Sequence, residues 1–140
     1  MEAYLIATAC TKFEKKADQT FKSLTEEVYC DLLKSAKVEN GNMIGQAWFG
    51  NCGMGTFGQN NIRGQVCFTP LVQKKLFPER VGIINVEGGC ATGSMAFHGA
   101  WKDVISGTED VSLAIGVEKI YQPNNPEKVQ EIYDGGIDQF

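Results

Sequence analysis

Of the side chains able to do covalent chemistry, Cys90 has the most informative setting. It stands inside Asn85-Val-Glu-Gly-Gly-Cys-Ala-Thr-Gly-Ser-Met95, after an apolar run that reads as a buried strand and before the strongest helical pattern in the chain. The unpaired N–H groups of a helix's first turn carry partial positive charge, which favours a thiolate over a thiol. The same donors stabilise negative charge developing on a substrate oxygen. Gly88 and Gly89 permit a tight turn, and Gly93 with Ser94 keeps the helix mouth small enough for a ligand to approach. The arrangement parallels a nucleophile elbow without matching its G-x-S-x-G pattern. Cys90 is the candidate catalytic nucleophile.

A nucleophile needs a proton acceptor within about 3 Å, and the chain offers none for Cys90. His98, the only histidine, lies eight residues further on, about 12 Å along a helix. It is expected to pack beside that helix's apolar stripe. Glu87 and Glu118 fall near strand ends, but a carboxylate is an unusual partner for a thiol. The base is therefore expected from another chain or from sequence outside this one. Gly53-Met-Gly-Thr-Phe-Gly58 fits the G-x-G-x-x-G dinucleotide pattern, with Glu79 about 20 residues on. That acid precedes the next strand instead of ending it, so the glycines are read as turn residues. Cys10, Cys30, Cys52 and Cys67, with no C-x-x-C pair among them, read as reduced, mostly buried thiols. No metal site and no bound cofactor are expected.

Composition bounds the rest. The 140 residues are 43% hydrophobic and 21% charged, enough for one domain with its own core. With 13 basic and 17 acidic side chains and a net charge of −4, nucleic acid is not an expected partner, because phosphate binding needs a basic face. No apolar run reaches the length of a membrane span. The opening Met1-Glu-Ala-Tyr-Leu-Ile6 lacks the basic region of an export signal, so a cytoplasmic location is expected.

The elements that would position Cys90 follow from periodicity. Residues 3–8 read as a β-prone run. Phe21, Leu24, Val28 and Leu32 draw a helical stripe, with Ser23-Leu-Thr-Glu26 as a capping box near its start and Asn40-Gly41 at its end. Residues 43–49 predict a second strand, 50–61 a loop, and about 62–76 a helix weakened by Pro70. Val81–Val86 reads as a strand buried on both faces. Residues 91–106 form a helix, with Phe97, Ala100, Trp101, Val104 and Ile105 on one face. Residues 111–117 give a fourth strand. This alternation predicts an α/β fold with a mostly parallel sheet and helices on both faces. It occupies residues 1–120, and 121–140 reads as a linker, a lid or the start of a further loop domain.

Val86-Glu-Gly-Gly-Cys-Ala-Thr-Gly-Ser-Met-Ala-Phe-His-Gly-Ala-Trp101, with Val104-Ile-Ser-Gly107 and Val111-Ser-Leu-Ala-Ile-Gly-Val-Glu-Lys119, resembles the N-terminal half of thiolases. The likeness is strongest to the sterol-carrier-protein-type and archaeal acetyl-CoA acetyltransferase branch. Cys90-Ala-Thr-Gly-Ser94 matches the family's nucleophile motif, and Gly116-Val-Glu-Lys119 its strand ending. The opening residues and the Gly50-to-Gln59 loop also fit, so the likeness covers nearly the whole chain.

The resemblance implies that Cys90 takes an acyl group from a coenzyme A thioester, the substrate, for Claisen condensation or thiolytic cleavage. It implies a homodimer in which the strand before the nucleophile pairs across the two-fold axis, with the Gly50–Gln59 loop near that interface. It also implies a larger assembly including a C-terminal half, which supplies the activating histidine, the second cysteine and most of the oxyanion hole. None of those motifs occurs here, and even the last strand of the first half is expected to be missing. Some members of the branch work beside a small acyl-CoA-handling subunit. A related condensing enzyme of the ketoacyl-synthase or hydroxymethylglutaryl-CoA-synthase kind shares the cysteine, and a non-catalytic dimerising or acyl-CoA-binding piece is the alternative from another functional class.

Overall fold

The computed structural model describes residues 2–138; Met1 and the last two residues of the 121–140 segment lie outside that range. A first helix, α1 (Phe21–Ala36), is followed by strand β1 (Gln46–Gly50) and helix α2 (Arg63–Gln73). Strand β2 (Gly82–Val86), helix α3 (Thr92–Ser106) and strand β3 (Ser112–Gly116) come next, and helix α4 (Glu127–Asp134) ends the order. The three strands form one parallel sheet in the order β2-β1-β3. The fold is α/β, with α1 and α2 on one face and α3 on the other.

The central strand shows how the pleat divides the work. Ala47 and Phe49 are fully buried on the α2 side, where Phe49 meets Phe68 edge-on and Phe68 in turn meets Tyr29 and Phe77. Trp48 points the other way, toward α3, and its indole N–H donates to Asp103 at 2.7 Å. Successive strand side chains alternate faces, so a five-residue strand serves two layers at once. Leu113, Ile115, Leu71, Cys67 and Val81 complete the aromatic core.

Several expectations need correction. Residues 3–8 form no strand, and Tyr4, Leu5 and Ile6 are 69–76% exposed. Strand propensity produces a strand only where a partner edge receives it, and no described strand pairs with this run. The sheet thus has three strands where four were expected. The strand expected at 43–49 begins at Gln46, because a turn with Ile44 N–H bonded to the Gly41 carbonyl precedes it. β2 is not buried on both faces: it lies at the sheet edge, and Ile84 is 38% exposed.

The helices shift as well. The capping box of α1 is built by Thr20 and Ser23, whose side chains each accept the other's backbone N–H, so Glu26 has no part in it and bonds Lys74 instead. The buried stripe runs through Leu24, Thr25, Tyr29 and Leu33, with Phe21, Val28 and Leu32 packed at its margin. α1 stops at Lys37, in the left-handed region, before Asn40-Gly41. α2 ends at Gln73, short of residue 76. On α3 the buried face is Thr92, Ala96, Gly99 and Ala100, whereas Phe97 and Trp101 are 54% and 40% exposed. Small residues face the sheet there because Trp48 fills the space between. Within 121–138, α4 replaces part of the expected linker and packs against the 3₁₀ turn Gly53–Phe57. No helix of the described residues is long and apolar enough to cross a membrane.

Candidate active site

All three strands deliver their C-terminal ends to the same side of the sheet, the side where parallel α/β sheets place ligands. β1 exits into Asn51 and Cys52, β2 into Glu87, and β3 into Val117 and Glu118. Asn51 ties two of these ends together. Its amide donates to the Val117 carbonyl at 2.7 Å, and its oxygen accepts the Met54 N–H at 3.0 Å. Its own carbonyl accepts from Arg63 at 2.9 Å. Glu118 holds the start of the glycine-rich loop by accepting the N–H groups of Cys52 and Gly53, both at 2.9 Å.

Cys90 is exposed and sits in the 3₁₀ turn Gly89–Ala91, two residues before α3 begins, not within α3 itself. Two side chains clamp this turn. From the helix, the buried Thr92 hydroxyl accepts the Gly88 N–H at 2.9 Å and donates to the Gly89 carbonyl at 2.8 Å. From the strand, the Glu87 carboxylate accepts the Gly89 N–H at 2.7 Å. Gly89 has φ +57, a conformation costly for a side-chain-bearing residue, which explains a glycine directly before the cysteine.

These contacts limit the expected oxyanion donors. The N–H groups of Gly89, Ala91 and Thr92 are engaged with Glu87, the Gly88 carbonyl and the Gly89 carbonyl, respectively. Stabilisation of a substrate oxygen would fall to donors other than these three.

Glu87 has a second partner that sequence spacing did not reveal. The Cys52 thiol donates to the same carboxylate oxygen at 3.3 Å. Thus Glu87 does partner a thiol, but the thiol is Cys52. The Gly89 N–H first, and the Cys52 thiol second, hold the Glu87 carboxyl below its ordinary range. The Cys52 thiol is pushed up, chiefly by burial and then by the hydrogen bond and charge of Glu87. Cys52 is therefore kept as a thiol while Glu87 is kept as a carboxylate.

The remaining candidates fall away from Cys90. His98 is exposed on α3 and stacks on Trp101, with ring centroids 5.5 Å apart. Gly53–Gly58 is a 3₁₀ turn closed by Gly58 at φ +92, not the tight strand-to-helix turn that a dinucleotide fingerprint needs. Of the four cysteines expected to be mostly buried, only Cys67 is; Cys30 and Cys52 are half-buried and Cys10 is exposed. Among the described residues, no three His, Cys, Asp or Glu side chains converge as a metal site requires.

A cleft of about 640 Å³ opens beside the turn, bounded by residues 9–14, 50–52 and 116–121 and by Gly89, Thr92 and Gly93. It joins the strand ends to the base of the Cys90 turn. Asn51 escaped sequence reasoning because its Val117 partner lies 66 positions away along the chain. Thr92 stood in the cysteine motif, but its clamp on Gly88 and Gly89, four and three positions back, was not read from it.

Comparison with known proteins shows the family to which these elements belong. Residues 3–135 match the family model for the thiolase N-terminal domain. The chain belongs to the thiolase family. It is 32% identical over 117 residues to the benzoylsuccinyl-CoA thiolase subunit BbsB of Thauera aromatica, covering 84% of this chain and 28% of that protein. It is likewise 32% identical over 117 residues to the acetyl-CoA acetyltransferase of Methanocaldococcus jannaschii, covering 83% and 28%. The chain thus spans a little over a quarter of the length of these relatives.

Proposed function

We propose that this chain is the acyl-accepting part of a thiolase-type acyl-CoA C-acyltransferase, with Cys90 as the nucleophile. The observation that carries this reading is an exposed Cys90, in a thiolase N-terminal domain, held in a clamped turn at the mouth of α3. In the reaction, the Cys90 sulfur forms a bond to the carbonyl carbon of an acyl-CoA thioester as the bond to coenzyme A breaks. The thiol proton leaves Cys90 through a base and ends on the released coenzyme A sulfur. A carbanion from a second acyl-CoA then takes the acyl group from Cys90, or the steps run in reverse as thiolytic cleavage. The base belongs to residues outside this chain, since its one histidine is stacked on Trp101.

This reading makes the coenzyme A thioester a substrate, with no resident cofactor. It places the protein in a homodimer, or a larger assembly with a C-terminal half, in which the open edge of β2 pairs across the two-fold axis. A small acyl-CoA-handling subunit, a cytoplasmic location and a further loop domain starting at residues 121–140 belong to the same proposal. The competing reading is a non-catalytic dimerising or acyl-CoA-binding piece, favoured by the position of His98, the one histidine, stacked on Trp101. Incubation with acetyl-CoA followed by peptide mass spectrometry separates them. The acyl-transfer reading predicts an acetyl group on Cys90 that is lost in Cys90→Ala. The binding reading predicts association without an adduct.

A further inference from the structure

We propose that Glu87 is a positioning residue for Cys90, acting through the Gly88–Gly89 turn and anchored in turn by Cys52. The inference rests on the reading of Cys90 as the nucleophile. Its basis is a continuous path of contacts across the three strand ends. Glu118 at the end of β3 fixes the Cys52 and Gly53 N–H groups. The Cys52 thiol donates to Glu87 at the end of β2. The same Glu87 oxygen accepts the Gly89 N–H, immediately before Cys90. Each of these partners is supplied by a different segment of chain, so the direction of the Gly89 peptide is set by the sheet as a whole.

The arrangement gives Glu87 a geometric task, since the acceptor oxygen holds a glycine at φ +57. In that conformation the next residue, Cys90, leaves the strand direction and enters the 3₁₀ turn. Thr92 holds the other side of the turn. Without the Glu87 acceptor, the Gly89 peptide loses this side-chain restraint from the sheet, and glycine is the residue with the most alternative conformations to explore. Misplacing a nucleophile by about 1 Å costs on the order of a hundredfold in rate.

The test compares Glu87→Ala with Glu87→Gln in the protein isolated with whatever chains accompany it. Both substitutions remove the same charge, but only glutamine retains an acceptor oxygen at that reach. Two readouts are taken: Cys90 acetylation by acetyl-CoA, as limiting rate and half-saturating concentration, and Cys90 alkylation by iodoacetamide. Glu87→Ala is expected to lower the limiting acetylation rate at least about tenfold, with half-saturation moving less than about twofold, and Glu87→Gln to recover to within about threefold of wild type. Thr20→Ala, which weakens the distant α1 cap, serves as the control for lost stability. Equal rates for the alanine and glutamine variants would overturn the positioning role. So would a loss that Thr20→Ala reproduces at the same melting temperature. If wild type itself takes no acetyl group, the nucleophile reading fails. The alkylation readout, which needs no acyl-CoA, then still decides the positioning role by whether the alanine and glutamine variants differ.

Discussion

At the scale of single residues, the site separates two thiols by their surroundings. Cys90 is exposed, whereas the Cys52, Cys30 and Cys67 thiols are pushed up by burial. Brief iodoacetamide labelling near neutral pH is therefore expected to modify Cys90 and the exposed Cys10 ahead of the other three, as read by peptide mass spectrometry. Faster labelling of Cys67 than of Cys90 would contradict the structure. Glu87 supplies a pH prediction. Its folded-state pKa is lowered, so its contribution is present above the ordinary glutamate range, about 4.3, and is lost as pH falls through the lower folded value. The Gly89 amide resonance should accordingly titrate in that acid window and lose this titration in Glu87→Gln. The setting of Cys90, between a strand end and a helix start, was legible in the sequence because its signal is local: two glycines, a cysteine and a helix start. The Cys52–Glu87 contact was not, because it joins residues 35 positions apart.

At the scale of elements, periodicity located every helix from α1 to α3 and the strands of the sheet, with errors at their ends and faces, but it also gave a strand at 3–8 that does not form and missed α4. The face of α3 was misread because Phe97 and Trp101 keep helical spacing with Ala100, yet only the small residues fit against Trp48. Replacing Gly99 tests this packing. A Cβ there would lie 2.3 Å from the Trp48 ring, so the indole must move and strain its bond to Asp103. Gly99→Ala is expected to lower stability by about 1–3 kcal/mol, seen as a lower melting temperature. Thr20→Ala removes the cap of α1 and should cost about 1 kcal/mol. Residues 3–8 illustrate the limit of the method. Their composition favours a strand, but pairing depends on an edge elsewhere, and no local pattern encodes that.

At the scale of the whole molecule, the described residues leave several apolar surfaces open. β2 lies at a sheet edge with Ile84 partly exposed, α3 presents Met95, Phe97 and Trp101, and Tyr4, Leu5 and Ile6 lie open. Exposed apolar area of this kind marks surfaces built for association. The chain on its own is therefore expected to self-associate, or to melt without a sharp cooperative transition, when followed by light scattering and calorimetry. A cooperative melt of a stable monomer would count against the reading that it is one part of a larger assembly.

The central claim is that Cys90 accepts an acyl group, and native mass spectrometry after incubation with acetyl-CoA tests it most directly. It reports in one spectrum which chains accompany this one and whether an acetyl group has been added. The account predicts an acetylated complex, with the added mass mapping to Cys90 and absent from Cys90→Ala. A complex that assembles fully, including the partner chains, and stays unmodified would contradict it.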